Sequence, residues 1–300
     1  MTRTRDLSPS AARGLIVVVA LCWSSMGVAF KFVDWDPLVI AGGRNLLSFL
    51  FLALSRRNIR ISLKREVVAG ALISYFAQTT FTYANKLTTA ANAIVLQYTN
   101  PIFVLLLSWL LLRQRLRKRD VALSLVMIGG IALFFLEELS PGQMTGNLCG
   151  LLSGLGMAAG ILYACAGRAD LREYTMLNSL IAILIGIPAA VRHPPLLTWQ
   201  SVLAVFLIGV VASGFASALQ AKAAPKLSPV EMSMLLMLDP ILNPIWVALM
   251  VGEVPGRFTF MGMVVVIVCV ILNILLNGRK EMTAKEGREE KILDNITKMV

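Results

Sequence analysis

Apolar runs of about 17–23 residues, separated by short polar or charged stretches, recur along the whole chain. They predict membrane-length helices at about 13–32, 38–55, 66–85, 89–112 and 119–136. A second set follows at about 147–167, 172–191, 200–221, 229–251 and 258–277. The connections are short, so little mass is expected outside a bilayer. The fold class expected is an all-α integral membrane protein with ten transmembrane helices. The basic N-terminus "MTRTRDLSPSAARG" leads into an apolar run that continues to about Phe32 without a clear small-residue cleavage site. A retained first helix is therefore expected rather than a signal peptide.

Composition agrees with this pattern. Of the 300 residues, 57% are hydrophobic and 15% charged, against roughly 45–50% and about 25% in soluble domains. The net charge of +11 raises the question of nucleic acid, but no basic stretch is interleaved with aromatics. No nucleic-acid partner is expected. Cys22, Cys149, Cys165 and Cys269 lie inside apolar segments without paired spacing and read as small buried hydrophobes. The single histidine, His193, sits in a Pro-rich loop, so neither a metal site nor a cofactor is expected.

The basic residues do a different job. With the N-terminus placed in the cytoplasm, twenty-three Lys and Arg fall on the inner side and four on the outer, with Arg44 inside a helix. That bias follows the positive-inside rule and places both termini in the cytoplasm of a multi-pass protein of the cell (inner or plasma) membrane.

The two halves of the chain resemble each other. "NPIFVLLLSWLLLRQRL" (100–116) aligns with "DPILNPIWVALMVGEVP" (239–255) at an offset of 139. This register pairs Asn100 with Asp239, Pro101 with Pro240 and Gln114 with Glu253. Five helices per unit is an odd number, so the second copy must enter the membrane from the opposite side. The expected organisation is two inverted five-helix repeats, 1–138 and 139–278, followed by a cytoplasmic tail, 279–300.

Several segments carry a family likeness. "CWSSMGVAFKF", "GGRNLL", "TTAANAIVLQYTNPIFVLLLSWLLLRQRL" and "LSPVEMSMLLMLDPILNPIWVALMVGEVP" resemble the EamA family of the drug/metabolite transporter superfamily, over roughly 13 to 277. The resemblance implies the ten-helix fold and carriage of a small solute. It leaves the substrate open, because members carry amino acids, nucleotide sugars, sugar phosphates and other metabolites. The first repeat departs from the usual Gly-Glu ending, with Gln114 where Glu is common.

A charged group at bilayer depth costs about 2.5–3.5 kcal/mol on insertion scales, so the few present need a reason. Arg44 has two readings, an anion site or a structural Arg that snorkels or binds helix-end carbonyls. Asp239 lies near the middle of the ninth helix, beside Pro240, Asn243 and Pro244. Those prolines, like Pro101 in the first repeat, are expected to break the helix and serve gating, because Pro lacks an N–H and crowds the carbonyl four residues back. Asn100 can donate at its position; Asp239 can do so only when protonated, a form that low-dielectric surroundings favour in any carboxyl. Asp239 is thus the proton-coupling candidate, the alternative being a standing partner of Arg44 or of a backbone amide. Glu231 reads as a helix-start carboxylate.

Trp23, Ser24, Gln78, Tyr83, Asn92, Gln97, Tyr98, Asn100, Tyr163 and Trp246, with Arg44, are the expected substrate pathway, and Ser25, Thr79 and Thr82 extend the polar set. So polar and aromatic a group in a charge-poor span points to a cavity for a small solute. The function expected is secondary active transport of a small organic metabolite, amino-acid-like or otherwise polar, by alternating access and with protons as a coupling ion. The alternative solutes are anionic or phosphorylated metabolites, or drugs. The expected partners are that solute and the lipid bilayer, with the protein a monomer or homodimer. An intramembrane enzyme would need a nucleophile with a base, or a carboxylate cluster, at one depth. A channel is the other rival, and a pump lacks its phosphate loop.

Overall fold

The computed structural model describes residues 7–30, 32–55, 61–88, 90–113, 117–134, 144–251, 256–258 and 260–277. Within helices, the side chains of 27, 28, 30, 85, 86, 90–92, 134, 243, 244, 247, 248, 250 and 251 are not described. Gln114, Glu253 and the tail lie outside the described residues, as do the side chains of Asn92, Asn243 and Pro244.

The described chain is all helix and turn. It runs α1 (Pro9–Phe30), α2 (Pro37–Leu54), α3 (Arg65–Leu87), α4 (Ala90–Gln97), α5 (Asn100–Leu112) and α6 (Lys118–Phe134). The second half begins with α7 (Met144–Ala166) and α8 (Leu171–Arg192). It continues with α9 (Trp199–Phe206), a π-helical stretch (Leu207–Phe215) and α10 (Ala216–Ala223). Then come α11 (Pro229–Leu236) and α12 (Leu238–Val251), and a last helix, α13 (Phe260–Asn277). Taking α4–α5, α9–α10 and α11–α12 as three broken rods, ten rods result among the described residues.

Local signals place several starts. Asp36 accepts from the Leu38 amide with Pro37 opening α2, and Asp170 accepts from the Arg172 amide at α8. Thr198 and Ser201 form a reciprocal box at α9, and Ser228 accepts from the Glu231 amide with Pro229 opening α11. Each oxygen satisfies an amide that the first turn leaves orphaned, and proline there loses no hydrogen bond.

Seven of the stretches are long and apolar enough to cross a membrane. The protein is an all-α, multi-pass membrane protein. Outside the seven fall α3, diluted by Ser74, Gln78, Thr79, Thr80 and Thr82, and the described parts of α6 and of the α11–α12 rod. The least apolar long helix is thus the one with the most polar groups to place inside. Many large apolar side chains face outward, Leu54, Leu111, Leu184 and Val191 among them. Such a belt has no aqueous rationale and is what lipid contact requires.

The halves interleave. α1 packs on α10, the π stretch, α11 and α12; its counterpart α7 packs on α3, α4 and α5; α2 packs on its counterpart α8. Small residues permit this closeness. A Cβ on Gly154 would sit 2.9 Å from the Gln97 carbonyl oxygen, and one on Gly150 2.9 Å from Leu96 Cβ. Between these layers the core is dominated by fully buried Met232, Met234, Leu235, Leu236 and Met237 with Ile16, Met127 and Ile241.

Candidate functional site

Two helix breaks organise the middle of the molecule. α4 ends at Gln97 and α5 begins at Asn100; α11 ends at Leu236 and α12 begins at Leu238. Tyr98 and Met237, the residues at which the two ladders stop, are related by the same offset of 139 as the Asn-Pro and Asp-Pro pairs. The cause is local. Pro101 and Pro240 lack an N–H and would crowd the carbonyls of Gln97 and Leu236, and residues preceding proline avoid the helical region. Thr99 tightens the turn by directing both its amide, at 3.3 Å, and its hydroxyl, at 2.6 Å, to the Leu96 carbonyl. The Met237 amide reaches the Met234 carbonyl at 3.2 Å. One expectation is corrected: positions 243 and 244 do not break the helix, and α12 runs through them.

At each break a polar residue reaches into the other half. The Tyr98 hydroxyl donates to Asp239 Oδ2 at 2.5 Å. The Ser233 hydroxyl donates to Asn100 Oδ1 at 2.6 Å, and Asn100 Nδ2 faces Met157 Sδ at 3.5 Å. Asn100 is fully buried and Tyr98 nearly so. The paired positions 100 and 239 therefore carry reciprocal bonds across the repeat interface.

A second set of bonds ties further elements to the breaks. Gln97 Nε2 donates to Ser153 Oγ at 2.8 Å, and Ser153 donates to the Ala77 carbonyl at 3.0 Å, which links α4, α7 and α3. Trp246 Nε1 donates to Ser24 Oγ at 2.9 Å, and Ser24 donates back along α1 to the Leu21 carbonyl. Trp23 is half-buried against the same core. Ser25 spends its hydroxyl on the Cys22 carbonyl.

Arg44 meets α3 at Gln78, the residue that follows Ala77. Its Nη2 donates to Gln78 Oε1 at 3.0 Å, in a cleft between α2, α3 and α8 that Thr79 and Thr82 also line. Gly42 and Gly186 bring α2 and α8 together beside it; a Cβ on Gly186 would stand 2.8 Å from Gly42 Cα. Among the described residues Arg44 and Asp239 form no ion pair, and each keeps a neutral partner instead. Among the described residues Asp239 thus bonds neither Arg44 nor a backbone amide. Arg44 bonds a side chain rather than helix-end carbonyls.

Not every expected pathway residue joins this group. Tyr163 lies near the end of α7, where its hydroxyl donates to the Glu66 carbonyl and its ring packs edge-on against Tyr174 at 5.8 Å. Tyr83 is 49% exposed. Glu231 lies in the first turn of α11, as a helix-start carboxylate should, and it also has a distant partner. Ser228 caps α11, and the Glu231 carboxylate pairs with Arg13 Nε at 2.6 Å, with both residues buried. Arg13 had the look of a topology charge, because a residue 218 positions away leaves no local trace. Ser153 and Ser233 were also missed. Ser153 lies within the small-residue face "GLLSGLG", and spacing alone would have placed it at a helix contact.

The family model described as EamA-like transporter family matches residues 12–136 and 144–275. The chain is 28% identical over 152 residues to "Uncharacterized transporter YoaV" of Bacillus subtilis (strain 168), a stretch covering 47% of this chain and 52% of that protein. The match thus spans about half the length of that curated relative. A crystal structure of another protein superposes with a TM-score of 0.78 at 18% identity, covering 90% of this chain and 99% of its own. That likeness concerns the fold.

Proposed function

The chain belongs to the EamA-like transporter family, and on that premise we propose that it is a secondary active transporter. It moves a small polar organic solute by alternating access, with protons coupled through Asp239. The family is one of transporters, not of enzymes. The observation that carries the reading is the Tyr98–Asp239 bond across two matched helix breaks. Breaks of this kind supply a hinge and an unsaturated backbone near the middle of a bundle, where carriers place their sites. An ionised Asp239 can only accept, so it holds the Tyr98 hydroxyl; a protonated Asp239 becomes a donor and no longer requires that bond. Proton occupancy then alters a contact between the halves, which is what coupling needs.

The same proposal includes two inverted repeats, 1–138 and 139–278, a tail over 279–300, and both termini in the cytoplasm of the cell membrane. The charge bias of twenty-three against four and the odd helix number per repeat support it. Ser24, Gln97, Tyr98, Asn100 and Trp246 border the route, with Pro101 and Pro240 as its hinges.

A thermal-shift screen of amino acids, organic acids, sugars and nucleosides against purified protein identifies the solute, because a ligand that binds the native state raises its melting temperature. Proteoliposomes loaded with that solute then test the coupling. Asp239→Asn is expected to abolish uptake driven by an imposed pH gradient and to retain solute counterflow. Undiminished gradient-driven uptake by the variant defeats proton coupling through Asp239, and absence of counterflow in the parent defeats the carrier reading.

A further inference from the structure

The Arg44 cleft is rich in donors: a guanidinium, a side-chain amide, and the hydroxyls of Tyr75, Thr79 and Thr82, which can also accept. A guanidinium carries five N–H groups and no lone pair, so the Gln78 atom facing it must be the amide oxygen. Gln78 is thereby oriented with its NH2 group, two further donors, free of any protein acceptor among the described residues. Tyr75 and Thr79 line the same cleft with hydroxyls that likewise have no partner among the described residues. Among the described residues Arg44 makes one hydrogen bond. Among the described residues no Asp or Glu lines the cleft, and Arg44 is the one cation there. Leu38 and Ile185 complete the wall with apolar surface.

These donors are part-buried, and a ligand that brings acceptors to them gains charge-assisted hydrogen bonds. One full positive charge with no counter-charge calls for one negative charge. A planar carboxylate matches the guanidinium fork, and the surrounding hydroxyls and amide can each add a charge-assisted bond. A phosphate monoester, nearer two negative charges, would leave one unbalanced. The apolar wall then receives the body of the molecule.

From this we propose that the Arg44–Gln78–Tyr75–Thr79 cleft binds the carboxylate of a small organic acid with an apolar body. The proposal rests on the carrier reading only for its consequence, that the transported solute carries such a group; the binding itself is testable without transport.

The probes are sodium phenylacetate and phenylacetamide, nearly the same shape but charged and neutral, together with inorganic phosphate and phosphatidylglycerol micelles. They are added to the purified full chain in a neutral detergent, and apparent affinity is read from the concentration dependence of the melting temperature. Phenylacetate is expected to bind at least tenfold more tightly than phenylacetamide. Arg44→Gln should remove that preference, and Arg44→Lys should keep part of it. Tyr75→Phe, which deletes only a hydroxyl, should weaken phenylacetate about tenfold and leave phenylacetamide unchanged; it serves if Arg44→Gln fails to fold. Equal binding of acid and amide overturns the proposal, as does a response confined to inorganic phosphate or to the anionic lipid. Acids that bind in this way but show no counterflow in liposomes leave the site standing and defeat its assignment to the carrier. Counterflow of amides at the rate of acids does the reverse.

Discussion

Glu231→Ala is expected to destabilise the protein by about 3–5 kcal/mol, the usual cost of removing one member of a buried ion pair. The Arg13–Glu231 contact, 2.6 Å long with both side chains at or below 10% exposure, joins α1 of the first half to the start of α11 in the second. Truncation removes the close carboxylate from a guanidinium that stays in a pocket water reaches poorly, and the weaker compensation of that charge is the source of the loss. Ser228 still caps α11, so the helix start itself should survive. The thermal midpoint in detergent reads the effect. A paired replacement, Arg13→Met with Glu231→Leu, should recover most of it, since well-packed apolar residues often match a buried pair in stability. A single-variant loss below about 1 kcal/mol, the range of exposed pairs, would show that the contact is solvated.

Gly186→Val should be nearly as damaging, through geometry instead of charge. The Cβ alone would lie 2.8 Å from Gly42 Cα and 3.1 Å from the Leu38 carbonyl oxygen. Both obstacles are backbone and cannot rotate away. α8 must then separate from α2, and overpacking of this kind costs about 1–3 kcal/mol or more. Because Arg44 stands two residues after Gly42, the shift should also disturb the Arg44–Gln78 contact and weaken phenylacetate binding. Gly129→Ala is the matched control. Beyond its own turn of helix, no described heavy atom lies within 4 Å of its Cβ position, so the change should be neutral or stabilising by up to about 1 kcal/mol, as Gly→Ala is in a helix. Equal melting temperatures for the two variants would contradict the close α2–α8 approach.

These two predictions differ in how visible their causes are from the chain alone. Gly42 is flagged in sequence by "GGRNLL", but its partner Gly186 sits in an unremarkable "LIGIP" 144 positions later. Arg13 and Glu231 each had an adequate local explanation, one as a topology charge and one as a helix-start carboxylate. A local explanation that suffices hides a distant one. Tyr163 shows the opposite failure: as an aromatic hydroxyl in a span it fitted a cavity, while its position close to the end of α7 assigns it to the Glu66 carbonyl. The prolines fell between these cases. The sequence predicted broken helices; Pro101 and Pro240 lie just after breaks, whereas the backbone runs on as helix through 243 and 244.

By itself, the sequence determined the all-helical membrane character, the approximate segments and the 139-residue repeat with its Asn-Pro and Asp-Pro pairs. Those follow from hydropathy, helix period and covalent backbone chemistry, which act over a few residues. Only the tertiary structure decided that Tyr98, and not Arg44, holds Asp239, that Ser233 holds Asn100, and that Gln78 turns its oxygen to Arg44. Those choices depend on which helix faces which and at what rotation. Packing of small against large side chains across the whole bundle sets that, and no window along the chain contains it.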